Sequence, residues 1–403
     1  MQQGNRRTII TEGASHTVEL TACQERAWDV LQGQGNVFLT GAAGTGKSFL
    51  VRRFLQEIGK DLFPIVASTG AAAILVGGCT FHSFFGLGIM EGGVEGTIRR
   101  ATRNRPLMSR LRRVYGVIID EVSMLSGATL HAAEAITRAA RHSELPWGGL
   151  RVIAVGDFAQ LPPVNANGEA KDWAFLHPAW EKTDFRTAML QTVVRTKEPE
   201  FLHVLNLVRR GIITDEVVQF LNGKVTEPDL HFDGTRLFPH RATAEAHNLE
   251  RLNELPSSLH RFTTHYTGVE PYISMLKKNA PIPDVLLLKE GALIMLRKND
   301  QYLRWVNGSL GHLTRINAGS LEIALLDGQH IAVGKEDFSL LNADGKEVAT
   351  AWNFPVNLAW ATTIHKAQGA SLDRLMVDLS QLWEPGQAYV ALSRVRSSDG
   401  LFI

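Results

Sequence analysis

Residues 36–48, NVFLTGAAGTGKS, decide the fold of this chain. The apolar run 36–40 predicts a buried strand, and residues 41–48 match the pattern G-x-x-x-x-G-K-S. In that pattern a glycine-rich loop joins a strand to a helix, and its backbone N–H groups surround phosphates. The stretch therefore predicts an α/β domain built around a nucleotide-binding loop.

The loop itself supplies the predicted nucleotide ligands. Lys47 is expected to reach the β- and γ-phosphates, and the Ser48 hydroxyl is expected to bind Mg²⁺. We therefore predict ATP and Mg²⁺ as cofactors. The residues of this loop expected to hold them are Gly44, Thr45, Gly46, Lys47 and Ser48.

The alternation of strands and helices continues along the chain. Apolar runs followed by turns and helical patterns predict further parallel strands at 64–69, 114–120, 150–157, 352–362 and 374–379. This order predicts an α/β fold with two domains, each a parallel sheet flanked by helices. We place the first domain at 1–200 and the second at 201–285 and 353–403.

Two segments depart from this alternation. Between 286 and 352, short strand-like pieces separated by Asn-Gly and Asp-Gly turns predict a small antiparallel insertion similar to a β-barrel. Residues 99–113 hold seven arginines and no acidic residue. Both a solvated basic helix and a surface that faces phosphates are consistent with this stretch.

The composition is that of an ordinary globular protein. The 403 residues are 44% hydrophobic and 21% charged, with a net charge of +1, so a nucleic acid would have to bind in a local groove. Cys23 and Cys79 lie in no metal-ligand pattern, which argues against disulfides and zinc and favours the cytoplasm. No apolar run approaches the roughly 18 residues that span a bilayer, so we expect no membrane partner.

Two adjacent acids follow the predicted strand at 114–120. Asp120 is expected to help bind Mg²⁺, and Glu121 to polarise the attacking water. Adjacent acids at a strand end can also act as capping groups, but the phosphate loop upstream favours the catalytic interpretation. The pair favours ATP hydrolysis over nucleotide binding alone.

Two glutamines are further candidates for the nucleotide site. Gln160, in GDFAQLPPV, can donate its amide to the γ-phosphate, with a structural turn as the alternative. Gln24, in LTACQERAWDVL, can read the adenine edge, although a surface position on a helix explains it equally well.

Three segments offer groups suited to single-stranded DNA. Hydroxyl and backbone donors near the end of a strand suit phosphates, and aromatic rings can stack on bases without sequence preference. For Phe84 and Phe85, a place in the hydrophobic core is an equally good alternative. The candidate DNA contacts are Ser68, Thr69, Gly70, His82, Phe84, Phe85, Thr363, His365 and Lys366, and Gln368 and Gly369 follow as candidates for approaching the nucleotide.

Taken in order, these motifs resemble those of superfamily one helicases. They are most similar to the petite integration frequency (PIF) family of DNA helicases, with RecD and Dda as more distant relatives. The resemblance rests on seven stretches, at 41–48, 68–88, 117–124, 156–164, 307–313, 362–372 and 389–396.

The resemblance implies an ATP-driven helicase that moves 5′→3′ on single-stranded DNA and unwinds duplex or forked DNA. ATP would lie between two RecA-like domains. Gln24 would read adenine, Arg195 would contact the γ-phosphate from the second domain, and Arg394 would approach it from YVALSRVR. Thr196 stands where family members often have glutamine.

The resemblance also extends the set of DNA contacts. Pro162 and Asn307 join it. The glycine-rich segment 86–100 is a candidate strand-separating wedge, inferred mainly from its position, within an insertion placed at about 86–110. We expect a nucleoid-associated monomer, with dimerisation on DNA left open. Two other classes stay open at this point: a DNA-independent P-loop ATPase acting as an assembly or transport motor, and a DNA-binding subunit without enzymatic activity.

Overall fold

The computed structural model describes residues 19–403, except 60, 91, 164–169, 228–231, 301 and 303. The strands of the N-terminal half are β1 (Val37–Gly41), β2 (Ile65–Ala67), β3 (Cys79–Thr80), β4 (Gly116–Asp120), β5 (Arg151–Gly156) and β6 (Arg186–Leu190). Its helices are α1 (Ala22–Gln32), α2 (Lys47–Ile58), α3 (Gly70–Val76), α4 (Phe81–Phe84), α5 (Gly93–Ala101), α6 (Arg105–Arg113), α7 (Gly127–Arg141) and α8 (Pro178–Thr183).

The six strands form one parallel sheet in the order β3-β2-β4-β5-β1-β6. Helices cover both faces, so β4 is apolar at nearly every position, as expected of a strand buried on two sides. The predicted strands at 36–40, 64–69, 114–120 and 150–157 are confirmed as β1, β2, β4 and β5. The phosphate loop and Asp120 both leave the carboxyl edge of this sheet, where α/β folds bind ligands.

The chain then enters a second α/β part. Its first elements are α9 (Pro199–Arg209), α10 (Asp215–Asn222), β7 (Thr235–Phe238) and α11 (Arg241–Glu254).

An antiparallel region follows. It consists of β8 (His260–Thr263), β9 (His265–Gly268), α12 (Glu270–Asn279), β10 (Val285–Leu288), β11 (Leu293–Leu296), β12 (Leu310–Ile316), β13 (Ser320–Leu325), β14 (His330–Gly334), β15 (Glu336–Leu341), β16 (Glu347–Asn353) and β17 (Val356–Leu358). The chain ends with β18 (Ala361–Thr363), α13 (Ile364–Ala367), β19 (Leu375–Val377), α14 (Gln387–Leu392) and β20 (Leu401–Phe402).

The second parallel sheet has the order β18-β7-β19-β20. Strands from both ends of the second part therefore join in one sheet, and the antiparallel region is inserted between them. This architecture confirms the predicted α/β fold with two parallel sheets and a β insertion in the second.

The antiparallel pairing includes β8 and β9, which precede the predicted insertion at 286–352. The antiparallel sheets are β14-β13-β12-β11-β17, β15-β16-β9 and β10-β8. The segment 352–362, predicted as one strand of the parallel sheet, is in fact divided among β16, β17 and β18, because β17 pairs with β11. The division of the chain into domains at 200 and 285 stays a prediction.

The arginine-rich stretch forms parts of α5 and α6. Arg100 donates to the Leu87 carbonyl (2.9 Å), Arg110 to the Phe84 carbonyl (2.8 Å) and Arg112 to the Ala140 carbonyl (2.6 Å). Arg110 also forms an ion pair with Asp344 of the insertion (3.2 Å). These three arginines have structural partners within the protein.

No helix in the described part of the chain is long and apolar enough to cross a membrane.

Candidate active site

Glycines with positive φ angles shape the phosphate loop. Gly44 and Gly46 have φ of 76° and 90°, which side chains with a Cβ rarely adopt. A Cβ at Gly44 would lie 2.5 Å from that of Arg195, so residue 195 packs directly on the loop. Thr45 is fully buried and its hydroxyl donates to the Ala42 carbonyl (2.9 Å). The glycine conformations, the packing of Arg195 and the Thr45 hydroxyl bond together fix the turn of the loop.

Lys47 bends back over the loop. Its ammonium donates to the carbonyls of Gly41 (2.8 Å) and Ala42 (3.1 Å). Burial lowers its pKa, and the carboxylates of Asp157, Glu121 and Asp120 oppose that shift. Ser48, the predicted Mg²⁺ ligand, is the second residue of α2 and is exposed.

The two acids lie at the end of β4, on the same side as Lys47. Glu121 has φ 52° and ψ 46°, an uncommon left-handed conformation for a residue other than glycine. The Asp120 carboxylate accepts the Glu121 N–H (3.0 Å). Burial, and then the charge of Glu121, raise the pKa of Asp120 to about 7, and burial also raises the pKa of Glu121. Such strained and desolvated acids concentrate at functional sites.

The second α/β part reaches this site through Gln368 and Tyr389. The Gln368 amide donates to Glu121 (Nε2–Oε2 3.0 Å), and the Ala43 N–H donates to the Tyr389 hydroxyl (2.8 Å). Tyr389 is 3% exposed and lines a cavity beside the phosphate loop together with Ala43 and Arg195. Both bonds join residues that are far apart in sequence, so the two parallel sheets share one site.

Arg394 is buried at this junction. It is 2% exposed, and its guanidinium donates to the Val390 carbonyl (2.7 Å) and the Ser393 hydroxyl (2.8 Å). Burial lowers its pKa, while Tyr389 and Glu121 act in the opposite direction. A buried arginine held by neutral groups keeps its charge available for an anionic ligand.

Arg195 lies on the phosphate-loop side of the site. The resemblance placed it in the second domain, but it follows β6 and precedes α9, and its neighbour Val194 donates to the Gly44 carbonyl (2.8 Å). Its guanidinium donates across the junction to the Ser393 carbonyl (2.7 Å). Burial, and then the charge of Arg394, lower its pKa to about 9.

One ion pair near Gln160, between Asp157 and Arg209, was not predicted. Asp157 is 1% exposed and accepts two hydrogen bonds from Arg209 of α9, at 2.8 and 3.1 Å. Gln160 donates to the same carboxylate (3.4 Å), so its amide is engaged within its own turn. Asp157 lies in the motif GDFAQLPPV and could have been predicted from sequence, whereas Arg209 lies in none of the seven motifs.

Gln24 ties α1 to the phosphate loop. Its side-chain oxygen accepts the Thr21 N–H (3.0 Å), and its Nε2 donates to the Thr45 carbonyl (3.0 Å). A Cβ at Gly46 would lie 2.5 Å from that nitrogen. Gln24 is 4% exposed, so the alternative of a surface glutamine is wrong.

The structure contradicts the assignment of Phe84 and Phe85 as stacking residues. Both are 0% exposed, and their ring centroids are 4.9 Å apart, with Trp147 5.6 Å from Phe85. A base cannot reach rings that are packed inside the first domain. Pro162 is also buried, so it offers no surface to DNA. His82 keeps partial exposure, and burial lowers its pKa.

The segment 68–70 lies at the contact between the first domain and the insertion. The buried Ser68 hydroxyl has no hydrogen-bond partner among the described residues, and Thr69 caps α3 by accepting the Ala72 N–H (3.2 Å). A Cβ at Gly70 would lie 2.3 Å from Asn279, at the end of α12. These residues form a surface that the insertion covers in this conformation.

The segment 363–369 surrounds the short helix α13. Thr363 is buried and accepts the Lys366 N–H (3.3 Å), whereas His365 and Lys366 are exposed. Gly369 is exposed with φ 79°. The loop of Asn307 packs beside it, since a Cβ at Gly308 would lie 2.8 Å from Ala370. The candidate DNA contacts of the second part are therefore neighbours.

A magnesium ion fits the donor set of the first domain. Among the described residues, no three or more His, Cys, Asp or Glu side chains are grouped so that they could hold a metal. Mg²⁺ in nucleotide sites instead takes one or two protein oxygens together with phosphates and waters. The Ser48 hydroxyl and the desolvated carboxylate of Asp120 suit that role, since a cation would offset the burial of the acid.

Comparison with known proteins agrees with this geometry. A family model described as PIF1-like helicase matches residues 20–219. The chain is 51% identical to an ATP-dependent DNA helicase Pif1 of Bdellovibrio bacteriovorus over 96% of this chain and 88% of that protein. It spans about three-fifths of the length of the Xenopus, zebrafish and human PIF1 helicases that it matches at 35–36% identity.

Solved structures give the same result. A Bacteroides Pif1 in complex with ADP-AlF4 superposes with a TM-score of 0.83 at 28% identity, covering 96% of this chain and 92% of that one. A structure that describes DNA unwinding at forked dsDNA by two coordinating Pif1 helicases superposes with a TM-score of 0.63 at 29% identity and the same coverage. Because the site, the sequence and the fold all agree, this chain belongs to the PIF1-like helicase family.

Proposed function

We propose that this ATP-dependent DNA helicase moves 5′→3′ along single-stranded DNA and separates the strands of duplex or forked DNA. ATP would be hydrolysed between the two parallel-sheet domains, with DNA lying across both. The direction is supported by the family resemblance. The observation that carries the coupling of ATP to DNA is the hydrogen bond between Gln368 and Glu121.

That hydrogen bond links the segment of the predicted DNA contacts to the predicted catalytic base. Gln368 follows His365 and Lys366, two exposed candidates for DNA contact, within one short segment. Glu121 is the predicted base for the attacking water. A shift of α13 when DNA binds would therefore move a group that is bonded directly to Glu121. This geometry supports hydrolysis that responds to DNA.

The chemical roles follow from charge and position. The N–H groups around Gly44 and Gly46 would hold the phosphates, Gln24 would lie near the base, and Glu121 would accept a proton from water. Lys47 and Arg394 would stabilise the negative charge on the transferred phosphoryl group from opposite sides, with Arg195 beside them. When bound, Mg²⁺ would neutralise charge on the β- and γ-phosphates, held through Ser48 and Asp120.

The DNA contacts that we retain are those with accessible groups. The structure of two coordinating Pif1 helicases at forked dsDNA supports forked DNA as a partner and leaves room for dimerisation on DNA. We expect a monomer without DNA, associated with the nucleoid. In this conformation the proposed DNA-facing residues are His82, Asn307, His365 and Lys366, and Ser68, Thr69 and Gly70 would join them once the insertion moves off them.

Unwinding of tailed duplexes tests this function. Duplexes carrying a 5′ or a 3′ single-stranded tail are mixed with protein, ATP and Mg²⁺, and strand release is followed over time. We expect release only from the 5′-tailed duplex. Release only from the 3′-tailed duplex would overturn the direction, and ATP hydrolysis that ignores single-stranded DNA would favour the DNA-independent motor.

A further inference from the structure

Trp383 is an exposed tryptophan on a fixed loop of the second domain. Its indole is 58% exposed, although the backbone around it is held by the buried side chain of Gln387. The Trp383 and Glu384 N–H groups both donate to that side-chain oxygen, at 3.1 and 3.3 Å. Gly386, with φ 79°, packs so closely on the Gln160 carbonyl that a Cβ would lie 2.2 Å from it. The loop therefore presents the ring from a rigid base.

His240 supports the indole from one side. The two rings stack with centroids 5.4 Å apart and an interplanar angle of 22°. His240 is exposed and follows β7, immediately before α11. An indole that already has one ring partner offers the geometry on which a further planar ring can stack.

The charged groups around this ring pair include several cations. Arg241 follows His240, and partial desolvation and the charge of Arg241 lower the pKa of Lys366. Arg241 forms an ion pair with Glu245. Glu384 is engaged by Lys171 (2.8 Å) and lies 3.9 Å from His365. Glu384 and Glu245 thus have cationic partners, which makes their surroundings more compatible with a phosphodiester chain.

The position in the fold is that of a ligand site. Residues after β7 and β18 supply His240, Arg241, His365 and Lys366, so all four lie at the carboxyl edge of the second parallel sheet. Tryptophan at such an edge is large, planar and uncharged, as a sequence-tolerant stacking contact requires.

We propose that Trp383, backed by His240, is a stacking site for one base of single-stranded DNA on the second domain. This inference rests on the proposed function, since it names a contact within the same DNA track. The loop of Trp383 leads directly into α14, which carries Tyr389 and is followed by Arg394. A base stacked on Trp383 would therefore contact the loop that leads into α14, the helix whose Tyr389 reaches the phosphate loop.

Trp383→Ala tests the site, with Trp383→Phe as the variant that keeps a ring. Affinity for fluorescently labelled oligothymidine is measured by anisotropy at several salt concentrations. We expect Trp383→Ala to weaken binding about 5- to 150-fold, the range for loss of one base–aromatic stack, and Trp383→Phe to lose much less. The matched control is Trp352→Ala, since Trp352 of β16 is 44% exposed and lies on the insertion.

The salt dependence separates stacking from charge. Trp383→Ala should leave the slope of log affinity against log salt unchanged, whereas Lys366→Ala should reduce it by roughly 0.7. For the wild type, an oligonucleotide with an abasic position at the stacked base should bind more weakly than the unmodified oligonucleotide. For Trp383→Ala, the two oligonucleotides should bind equally well.

Two outcomes overturn different statements. If the wild type binds oligothymidine and Trp383→Ala binds equally well, the stacking site is wrong and the helicase function stands. If the wild type itself fails to bind single-stranded DNA, the proposed function is wrong. Thermal melts show whether each variant folds. If Trp383→Ala does not fold, the proposal is tested by placing the abasic position along the oligonucleotide and measuring its affinity for wild type and for Trp383→Phe. If no abasic position weakens binding, the proposal is wrong.

Discussion

The two sides of the nucleotide cleft differ in where their hydrogen bonds go. On the first-domain side, Lys47 and Asp120 bond to backbone groups of their own loops. On the second-domain side, Gln368 and Tyr389 bond across the cleft, to Glu121 and to the Ala43 N–H. The first side thus holds Lys47 and the two acids within their own loops, and its Arg195 reaches across to the Ser393 carbonyl. The second side is built to sense whether the cleft is closed.

The largest effect is expected on the first-domain side. Lys47→Ala should reduce ATP hydrolysis to background, because it removes the ammonium that meets the transferred phosphate. Steady-state phosphate release measures this, and a thermal melt shows whether the variant folds. Near-normal turnover by a folded Lys47→Ala protein would show that the loop does not bind the transferred phosphate.

The next largest effect is expected from Arg394. Arg394→Ala should lower kcat by around 10³ or more while ATP binding largely survives, since the arginine would act on the transition state from the second domain. Nucleotide titration and single-turnover hydrolysis separate binding from chemistry. Arg396→Ala is the control, because Arg396 lies two residues away, is 39% exposed and pairs with Asp373 (3.4 Å). An equal loss of binding and turnover in Arg394→Ala would identify a structural arginine instead.

The buried acid Asp120 on the first side should make the stability of the protein depend on pH. The pKa of Asp120 is raised from 3.8 to about 7 in the folded protein. The unfolded chain therefore ionises first as the pH rises, so nucleotide-free protein should lose stability between about pH 4 and pH 7. Asp120→Asn should flatten this part of the curve and raise the melting temperature at pH 8 relative to wild type.

The control for that measurement is the exposed Asp61. Asp61→Asn should follow the wild-type melting curve throughout the pH range, since this residue is exposed in both states. If Asp120→Asn lowers the melting temperature at pH 8, burial of the ionised carboxylate is not a cost to this fold. Hydrolysis by Asp120→Asn should be lost, so stability and activity should change in opposite directions.

The smallest effect is expected from one bond across the cleft. Tyr389→Phe removes the acceptor of the Ala43 N–H and should lower the free energy of unfolding by about 1 kcal/mol. ATP hydrolysis should stay within about fivefold of wild type, because the first-domain groups are unchanged. Urea denaturation measures the stability, with Tyr115→Phe as the control, since Tyr115 is 54% exposed. Stability equal to wild type would show that the second side does not hold the cleft closed.

Residues of the cleft were predictable where a motif fixes both residue type and position. Lys47, Asp120, Glu121 and Arg394 all lie at the junction of the two sheets, as the motifs indicated. Lys47, Asp120 and Glu121 follow strands of one parallel sheet, and the carboxyl ends of parallel strands meet at one edge. Arg394 instead follows the helix α14, and its role came from the family resemblance.

The aromatic contacts were not predictable in the same way. Phe84 and Phe85 were assigned to DNA, and the structure buries them against Trp147. Trp383 was not singled out, yet it is exposed and stacked on a histidine more than a hundred residues away. Whether a ring is buried depends on the elements that pack over it, and no local pattern contains that information.

The sequence by itself determined the α/β fold, the nucleotide loop and the acids that accompany it, because strand periodicity and loop chemistry are local properties. Only the tertiary structure decided that Tyr389 reaches Ala43, 346 residues away, and that Arg209 clamps Asp157. It also decided that the β insertion extends to β8 and β17. Such contacts arise from the packing of distant segments into one core, where the shape of the whole chain sets the partner of each group.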